Sequence, residues 1–191
     1  MVVSKRASPP CELKIGQEKI KKVQKFNYLG SMVSEDGRCD TEIRKRIGIA
    51  KDTFQKFGTV FKDRRLGSET KVRVLDCYVN SVLLYGSECW TISAQMEKRL
   101  EATEMWFFRR MLRISWTDHV TNQEILQRGG RKKTLMMTLR RRQLEFLGHV
   151  MRKEGMENLT LTAYCRKAKQ VKAATDTHGQ LVWMVGAVCQ Q

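Results

Sequence analysis

The sequence predicts a mainly α-helical protein in which a short antiparallel β hairpin or meander precedes about five helices. Polar and apolar residues alternate with a period of two over residues 11–33, as in half-exposed strands. From residue 40 onward the apolar residues instead recur at spacings of three and four, as on the buried face of a helix. Of the 191 residues, 41% are apolar and 29% are charged, which is a balance typical of a globular domain.

The β region is expected to follow a loose start at residues 1–10. Residues 12–15 alternate, residues 16–18 can form a turn, and the extended pattern resumes over residues 19–33. The sequence Ser34-Glu35-Asp36-Gly37 then predicts a turn that closes this region. Residues 11–37 are therefore interpreted as one small β segment.

The first helix is predicted to begin at Asp40 or Thr41, because either residue can cap a helix N-terminus. Its apolar stripe is long and regular, and comprises Ile43, Ile47, Ala50, Phe54, Phe57 and Phe61. The opposite face is basic and carries Arg44, Lys45, Lys51 and Lys56. The pattern indicates an amphipathic helix with one buried face and one cationic face.

Three further helices are predicted to begin near residues that favour helix N-termini, namely Ser68, Ser93 and Thr121 with Glu124. Gly86 ends the second helix, the third runs to about Ile114, and the pair Gly129-Gly130 ends the fourth. A fifth helix is expected over residues 133–152, with Leu135, Leu139, Leu147 and Val150 buried. Residues 156–191 form a tail without a long period, for which helix, strand and disorder all remain open.

The positive charge is the most unusual property of the composition. Lys and Arg number 36 against 20 Asp and Glu, so the formal net charge is +16. A surface of this charge attracts polyanions, which makes nucleic acid the expected partner and an anionic membrane the second choice. A solvated basic face without a ligand is the alternative.

Basic residues are densest in two clusters, Arg131, Lys132 and Lys133, and Arg140, Arg141 and Arg142. Because two helical turns take about seven residues, parts of the two clusters can share one face and lie along a phosphate backbone. Arg109 and Arg110 follow the aromatic run 106–108, which could stack on unpaired bases but fits burial in a core better. The two basic clusters, Arg109 and Arg110, together with Arg44 and Lys45, are the predicted nucleic-acid contacts.

Several other classes of protein are not favoured. No apolar run approaches the roughly 18–20 residues that cross a bilayer, and residues 1–10 lack the apolar centre of a secretory signal. The six cysteines form no C-x-x-C pair and the three histidines lie far from any pair of cysteines, so a zinc site is poorly supported. We therefore expect reduced thiols, a nuclear or cytoplasmic location, and neither secretion nor a membrane partner.

Residues able to carry catalysis are few. Asp118 and His119 are adjacent, and adjacent side chains rarely face each other in a productive acid–base pair. Hydrolase, metalloprotease and P-loop motifs are missing, as are paired aspartates that could hold two Mg²⁺ ions. We predict no catalytic residue, no metal site and no cofactor in this chain.

A series of ordered segments resembles the non-LTR retrotransposon reverse transcriptases, in particular the RTE/BovB-like endonuclease–reverse transcriptase polyproteins. The series begins with Phe26-Asn27-Tyr28-Leu29-Gly30 and continues over residues 35–40, 42–47, 77–91, 100–106, 109–111, 114–122 and 140–149. No single segment is decisive, but their order over about residues 11–155 is highly specific. The resemblance extends over most of the chain and stops before the tail.

This resemblance implies a fold and a role. Residues 11–37 would be the end of the polymerase palm, with Phe26, Tyr28, Leu29 and Gly30 close to the primer grip. Residues 38–155 would be thumb-like helices that hold a template–primer duplex of RNA or DNA. Residues 156–191 depart from the family's pattern.

The resemblance also implies that this chain is a fragment. The family's catalytic aspartates lie in an Ala-Asp-Asp motif upstream of the Tyr-Leu-Gly segment, and nothing in residues 1–25 matches that motif. We therefore expect no polymerase activity of its own, although the parent family uses Mg²⁺ for RNA-directed DNA synthesis. Two alternatives are a host-recruited protein-interaction domain and a thumb that acts in trans with an incomplete polymerase.

Overall fold

The computed structural model describes residues 14–19, 23–131, 134–153 and 155. Its strands are β1 Lys14–Ile15, β2 Glu18–Lys19, β3 Lys25–Tyr28 and β4 Ser31–Ser34. Its α-helices are α1 Asp40–Lys56, α2 Gly58–Lys62, α3 Ser68–Val74, α4 Ser81–Leu83, α5 Ala94–Leu112, α6 Asn122–Arg128 and α7 Leu135–Arg152. The predicted fold class, mainly α with a short antiparallel β segment before the helices, is confirmed.

The chain divides into two compact units, the first ending at Thr138 and the second beginning at Leu139. The predicted loose start at residues 1–10 and the tail at residues 156–191 lie outside the described residues. The predicted domain boundaries after residues 10, 37 and 155 stay predictions. No helix in the described ranges has both the length and the apolar character that a membrane span requires.

The β segment consists of two separate hairpins rather than one continuous meander. β1 pairs with β2 across the predicted turn at Gly16, and β3 pairs with β4. The second hairpin turns at Leu29 and Gly30, whose φ angles are 47° and 82°. Two central residues with positive φ match the right-handed twist of a tight hairpin. The alternating pattern does not indicate this turn, because leucine rarely adopts a positive φ.

The first apolar stripe spans two helices that are interrupted at Phe57. α1 buries Ile43 and Ile47, whereas Phe61 is buried from α2. Neither Asp40 nor Thr41 is the cap, because Cys39 precedes the first helical residue and no side chain caps the helix. Asp40 and Glu42 lie in the first turn, where negative charge favours the positive end of the helix dipole.

The second predicted helix contains a wider turn in its middle. α3 is followed directly by a π-helical segment, Leu75–Asn80, which continues into α4. Leu75, Val79 and Leu83 are buried along this composite helix. α4 ends at Leu83, two residues before the predicted end near Tyr85, and Gly86, with a φ of 69°, lies in the turn that follows.

The caps of the next two helices are confirmed. The Ser93 hydroxyl accepts a hydrogen bond from the Met96 amide at the start of α5. The Thr121 hydroxyl accepts one from the Glu124 amide at the start of α6. These bonds satisfy amides that a helix N-terminus leaves without intrahelical partners.

An aromatic cluster forms the centre of the first unit. The rings of Phe54 and Phe61 are stacked with centroids 4.4 Å apart, and Phe107 of α5 lies 5.1 Å from Phe54. Trp106 completes the cluster with its ring 5.6 Å from Phe54. The cluster thus joins α1, α2 and α5, and most of the aromatic run 106–108 is core, as the spacing predicts.

Helix α7 is the only element that crosses the boundary between the two units in the described residues. In the first unit, Leu135 is buried. In the second unit, Leu139 is buried, whereas Leu147 and Val150 are half-buried. The predicted burial is therefore confirmed for Leu135 and Leu139, whereas Leu147 and Val150 are less buried than predicted.

Candidate nucleic-acid interface

The β3–β4 turn is attached to α1 by a buried ion pair. Arg46 Nη2 donates to the Gly30 carbonyl at 2.7 Å, and Arg46 Nε donates to Glu42 Oε1 at 2.7 Å. The second carboxylate oxygen of Glu42 accepts the Met32 amide at 2.8 Å. Because the charges of Arg46 and Glu42 compensate each other and their polar atoms are bonded, both side chains can be buried.

Tyr85 fixes the same turn from the end of the second helical run. Its hydroxyl donates to the Leu29 carbonyl at 2.9 Å, and its ring lies 4.3 Å below the Arg46 guanidinium carbon. A Cβ atom at Gly86 would lie 3.0 Å from Ser31 Oγ, so the two segments approach closely. The Tyr-Leu-Gly segment and the Tyr-Gly segment therefore meet, although 56 positions separate Leu29 from Tyr85.

Sequence reasoning missed this arrangement. Glu42 and Arg46 stand four residues apart on one helix, which is the spacing of an intrahelical ion pair and could have indicated their contact. The contact between Tyr85 and Leu29 has no local signature, because it depends on how the hairpin packs on the helices.

The residues predicted to resemble a primer grip lie on this anchored hairpin and are largely exposed. Phe26 is 51% exposed and Tyr28 is 61% exposed, and residues two apart in a strand share a face. Val33 lies opposite Phe26 in the strand register and is 37% exposed. These three side chains form the apolar hairpin face. Leu29 and Gly30 form the adjoining turn.

A second exposed feature, the Trp106 patch, consists of Lys51, Trp106 and Arg110. The half-buried Trp106 ring is contacted by two cations, with Arg110 Cζ 4.4 Å and Lys51 Nζ 5.2 Å from its centroid. Cations at these distances are attracted to the face of the indole ring. The patch lies where α1 and α5 pack together in the first unit.

The basic side of α1 extends from this patch. Arg44 is exposed and stands seven residues before Lys51, so both lie on one side of the helix. Gly48 lies between them, and a Cβ atom there would meet nothing within 4 Å. Lys45 is half-buried and its Nζ is 3.4 Å from the Gly30 carbonyl, so it faces the hairpin turn.

Arg109 and Arg110 differ in their surroundings, although they are consecutive. Arg109 is half-buried and its Nη2 donates to the Val120 carbonyl at 2.8 Å, which fixes the segment before α6. Arg110 is exposed over the Trp106 ring. Arg110 is therefore the better candidate for a phosphate contact.

The first predicted basic cluster contains an internal residue. The Arg131 side chain is 8% exposed, and its Nη1 lies 2.5 Å from Asp76 Oδ1. Its Nε lies 3.5 Å from Glu104 Oε1, which is an ion-pair distance but long for a hydrogen bond. Because two carboxylates engage this guanidinium, we leave Arg131 out of the proposed interface. Lys132 and Lys133 lie outside the described residues.

Glu104 is the buried partner in this arrangement. Its Oε1 accepts the Leu135 amide at 2.9 Å. Burial raises the pKa of the Glu104 carboxyl, whereas the Leu135 amide and the Arg131 charge oppose the increase. The network of Asp76, Glu104 and Arg131 links the π-helical segment, α5 and the start of α7 within the first unit.

The second predicted basic cluster lies on α7 in the second unit. Arg140 and Arg141 are exposed and Arg142 is half-buried. Consecutive residues diverge by about 100° around a helix, so the three side chains spread rather than align. Arg141 pairs with Glu145 at 2.7 Å, but both side chains are mostly exposed, and such pairs are weak. Arg140 and Arg141 thus stay accessible to an anion.

Asp118 serves as a cap. Its Oδ2 accepts the Ser115 amide at 2.7 Å, which completes a capping box around a short 3-10 turn. His119 follows with a φ of 49°. In the part of the chain that the structure describes, no group of three or more His, Cys, Asp or Glu residues is arranged to hold a metal ion.

Comparison with known proteins gives one distant similarity. No family model matches the sequence, and no solved structure matches it. An uncharacterised transposon-derived protein of Caenorhabditis elegans is 25% identical to this chain over 142 residues. The match covers 73% of this chain and 50% of that protein, so the chain spans about half the length of this relative. The chain is thus similar to a transposon-derived protein, which supports the predicted origin in a transposable element.

Proposed function

We propose that this chain is a fragment of an RTE/BovB-like non-LTR reverse transcriptase that lacks the catalytic aspartates and holds a template–primer duplex. The similarity to a transposon-derived protein supports the origin. The Trp106 patch carries the binding proposal, because two cations lie over one half-buried indole ring on a protein of net charge +16. In this proposal the chain binds the duplex and catalyses no reaction of its own.

Phosphate contacts would supply most of the affinity. In the first unit the candidates are Arg44, Lys51 and Arg110, and in the second unit they are Arg140 and Arg141. Each cation that neutralises a phosphate releases a counterion, so binding weakens as salt is raised. Such contacts position a duplex without reading its sequence, which suits a protein that must hold any template and primer.

The anchored hairpin would place the primer-grip-like residues. Arg46 and Tyr85 bind the carbonyls of Gly30 and Leu29, so the turn has a defined position relative to α1. No step of the proposed function passes through a metal.

Fluorescence anisotropy with a labelled RNA–DNA primer–template tests the proposal. We expect binding at low salt and a linear fall of log affinity with log salt concentration. Lys51→Met and Arg110→Met should each weaken binding and reduce the salt slope by about 1. Arg128→Met removes the same charge from α6, where Arg128 is exposed beside Glu124, and should leave the slope unchanged.

Three results would contradict the proposal. The first is no binding at low salt, or binding that does not respond to salt. The second is an equal effect of Arg128→Met and Lys51→Met, which would indicate attraction by net charge alone. The third is primer extension above background with Mg²⁺ and no partner, which would show that the chain polymerises.

A second candidate function is protein–protein interaction, either as a host-recruited domain or as a thumb in trans. The apolar hairpin face favours it, because Phe26, Tyr28 and Val33 leave apolar surface exposed on two neighbouring strands. Gel filtration with light scattering distinguishes a discrete oligomer from a monomer. Restored primer extension by a thumb-deleted reverse transcriptase on adding this chain would favour action in trans.

A further inference from the structure

A concave pocket lies at the end of α5, where its lining residues 111–113 follow directly after Arg110 of the Trp106 patch. It has a volume of about 310 Å³ and is lined by Arg64, Ser68, Lys71, Met111, Leu112 and Arg113. Three segments contribute, namely the loop after α2, the start of α3 and the C-terminus of α5. All six residues belong to the first unit.

The lining of the pocket is strongly cationic. Three of its six residues carry a positive charge, one carries a hydroxyl, and none carries a carboxylate. Lys71 is 8% exposed, and among the described residues it forms no ion pair. Its aliphatic part is packed, while its ammonium keeps contact with solvent. An anion in the pocket would supply a charge to pair with it.

The positions of the other two cations are fixed by different means. Arg113 has a φ of 57° at the C-terminus of α5, and its Nη2 donates to the Lys62 carbonyl. This bond ties Arg113 to the end of α2 and leaves other guanidinium donors available. Arg64 is exposed at the rim. The pocket therefore combines one cation on a largely packed side chain with two on exposed residues.

From this lining we infer that the pocket binds a phosphate group. Two guanidinium groups, an ammonium and a hydroxyl are the donors that bind phosphate oxygens in proteins. A volume of 310 Å³ is at the lower end for ligand pockets, so it admits a phosphate with part of its attached group. Met111 and Leu112 provide an apolar wall for that part. The phosphate can be terminal or part of a nucleic-acid backbone.

The ligand class is tested first with small anions. Inorganic phosphate and pyrophosphate should raise the thermal midpoint of the wild-type chain above that in chloride at equal ionic strength, because a ligand of the folded state stabilises it. Lys71→Met should lose this response, with phosphate affinity reduced by about tenfold or more. Lys98→Met is the matched control, since Lys98 is exposed on α5 and lies outside the pocket lining.

The source of the phosphate is tested with oligonucleotides. Tighter binding of a 5′-phosphorylated strand than of its 5′-hydroxyl form, with the difference lost in Lys71→Met, identifies a terminal phosphate. Equal binding of both forms, with both weakened by Lys71→Met, identifies a backbone phosphate. Arg64→Met, at an exposed position, repeats each comparison if Lys71→Met does not fold.

The inference is overturned if phosphate acts like chloride at equal ionic strength. It is also overturned if Lys98→Met loses the phosphate response to the same extent as Lys71→Met. Failure here is distinguishable from failure of the proposed function. Lys51→Met should alter duplex binding and keep the phosphate response, whereas Lys71→Met should abolish the response to inorganic phosphate.

Discussion

Arg131 Nη1 donates to both carboxylate oxygens of Asp76, at 2.5 and 2.6 Å, across 55 positions of sequence. Asp76 lies in the π-helical segment and Arg131 in the loop before α7. Glu104 of α5 approaches the same guanidinium from the interior. A residue in a run of three basic residues thus joins three elements of the first unit.

Replacing Arg131 should cost stability more than affinity. Arg131→Met leaves the buried Glu104 without its cation, and breaking a buried pair in this way costs about 3 kcal/mol. Urea unfolding measures the loss. Arg128→Met is the control, because its exposed pair with Glu124 contributes about 0.5 kcal/mol or less. Equal stability of the two variants would contradict the structural role of Arg131.

The contribution of Glu104 to the free energy of unfolding should decrease as pH rises. Burial raises the pKa of this carboxyl in the folded state. With a raised folded-state pKa, the stabilisation that Glu104 contributes to the folded state is fully present below the unfolded pKa, about 4.3. That stabilisation is lost as pH rises through the folded pKa. Glu104→Gln cannot ionise. The unfolding free energy of the wild type minus that of Glu104→Gln should therefore fall as pH rises.

Urea unfolding of both proteins at several pH values from 4 to 7 measures this difference. The glutamine carbonyl can still accept the Leu135 amide, so the comparison isolates the ionisation. A difference that is constant or increases with pH would show that Glu104 is not destabilised by its charge.

Two glycine substitutions should have opposite effects. A Cβ atom at Gly129 would lie 2.6 Å from Phe108 Cε1, and Phe108 is fully buried, so Gly129→Ala should destabilise by about 1–3 kcal/mol. Gly48 is exposed within α1 and has open space around it. Gly48→Ala should stabilise by about 0.5–1 kcal/mol. Thermal unfolding of both variants checks the signs.

Tyr85→Phe should loosen the hairpin without removing the stack on Arg46. The lost hydrogen bond to Leu29 is worth about 1 kcal/mol. Hydrogen exchange at the Met32 amide, which donates to Glu42, should accelerate because the hairpin opens more often. Tyr78→Phe makes the same chemical change on a half-exposed ring packed on Phe57, and faster exchange at Met32 in that variant would contradict this assignment.

The features that sequence predicted well are those decided within a few residues. Ser93 and Thr121 accept hydrogen bonds from amides three positions away, so their capping roles are visible in the sequence itself. The buried residues Ile43 and Ile47 follow from helical periodicity alone. Local chemistry sufficed for the helices and for most of the core.

The features that sequence missed depend on distant partners. Arg131 is one of several cations in its segment, and its burial depends on carboxylates of two other elements. The turn at Leu29 is stabilised from outside by Tyr85 and Arg46. Charge counts therefore located the basic segments but could not separate their interior residues from their accessible ones.

The π-helical segment Leu75–Asn80 also sets the rotational phase of everything that follows it in the same helical run. A π turn takes up one residue more than an α turn, so a return of this segment to ordinary α geometry with the same number of residues would change that phase. The following residues would then rotate by about 100° relative to α3. Tyr85 would turn away from Leu29, and the hairpin would lose this hydrogen bond although the residues that form it were all still present. For this part of the chain, the width of one helical turn matters as much as the identity of the residues in it.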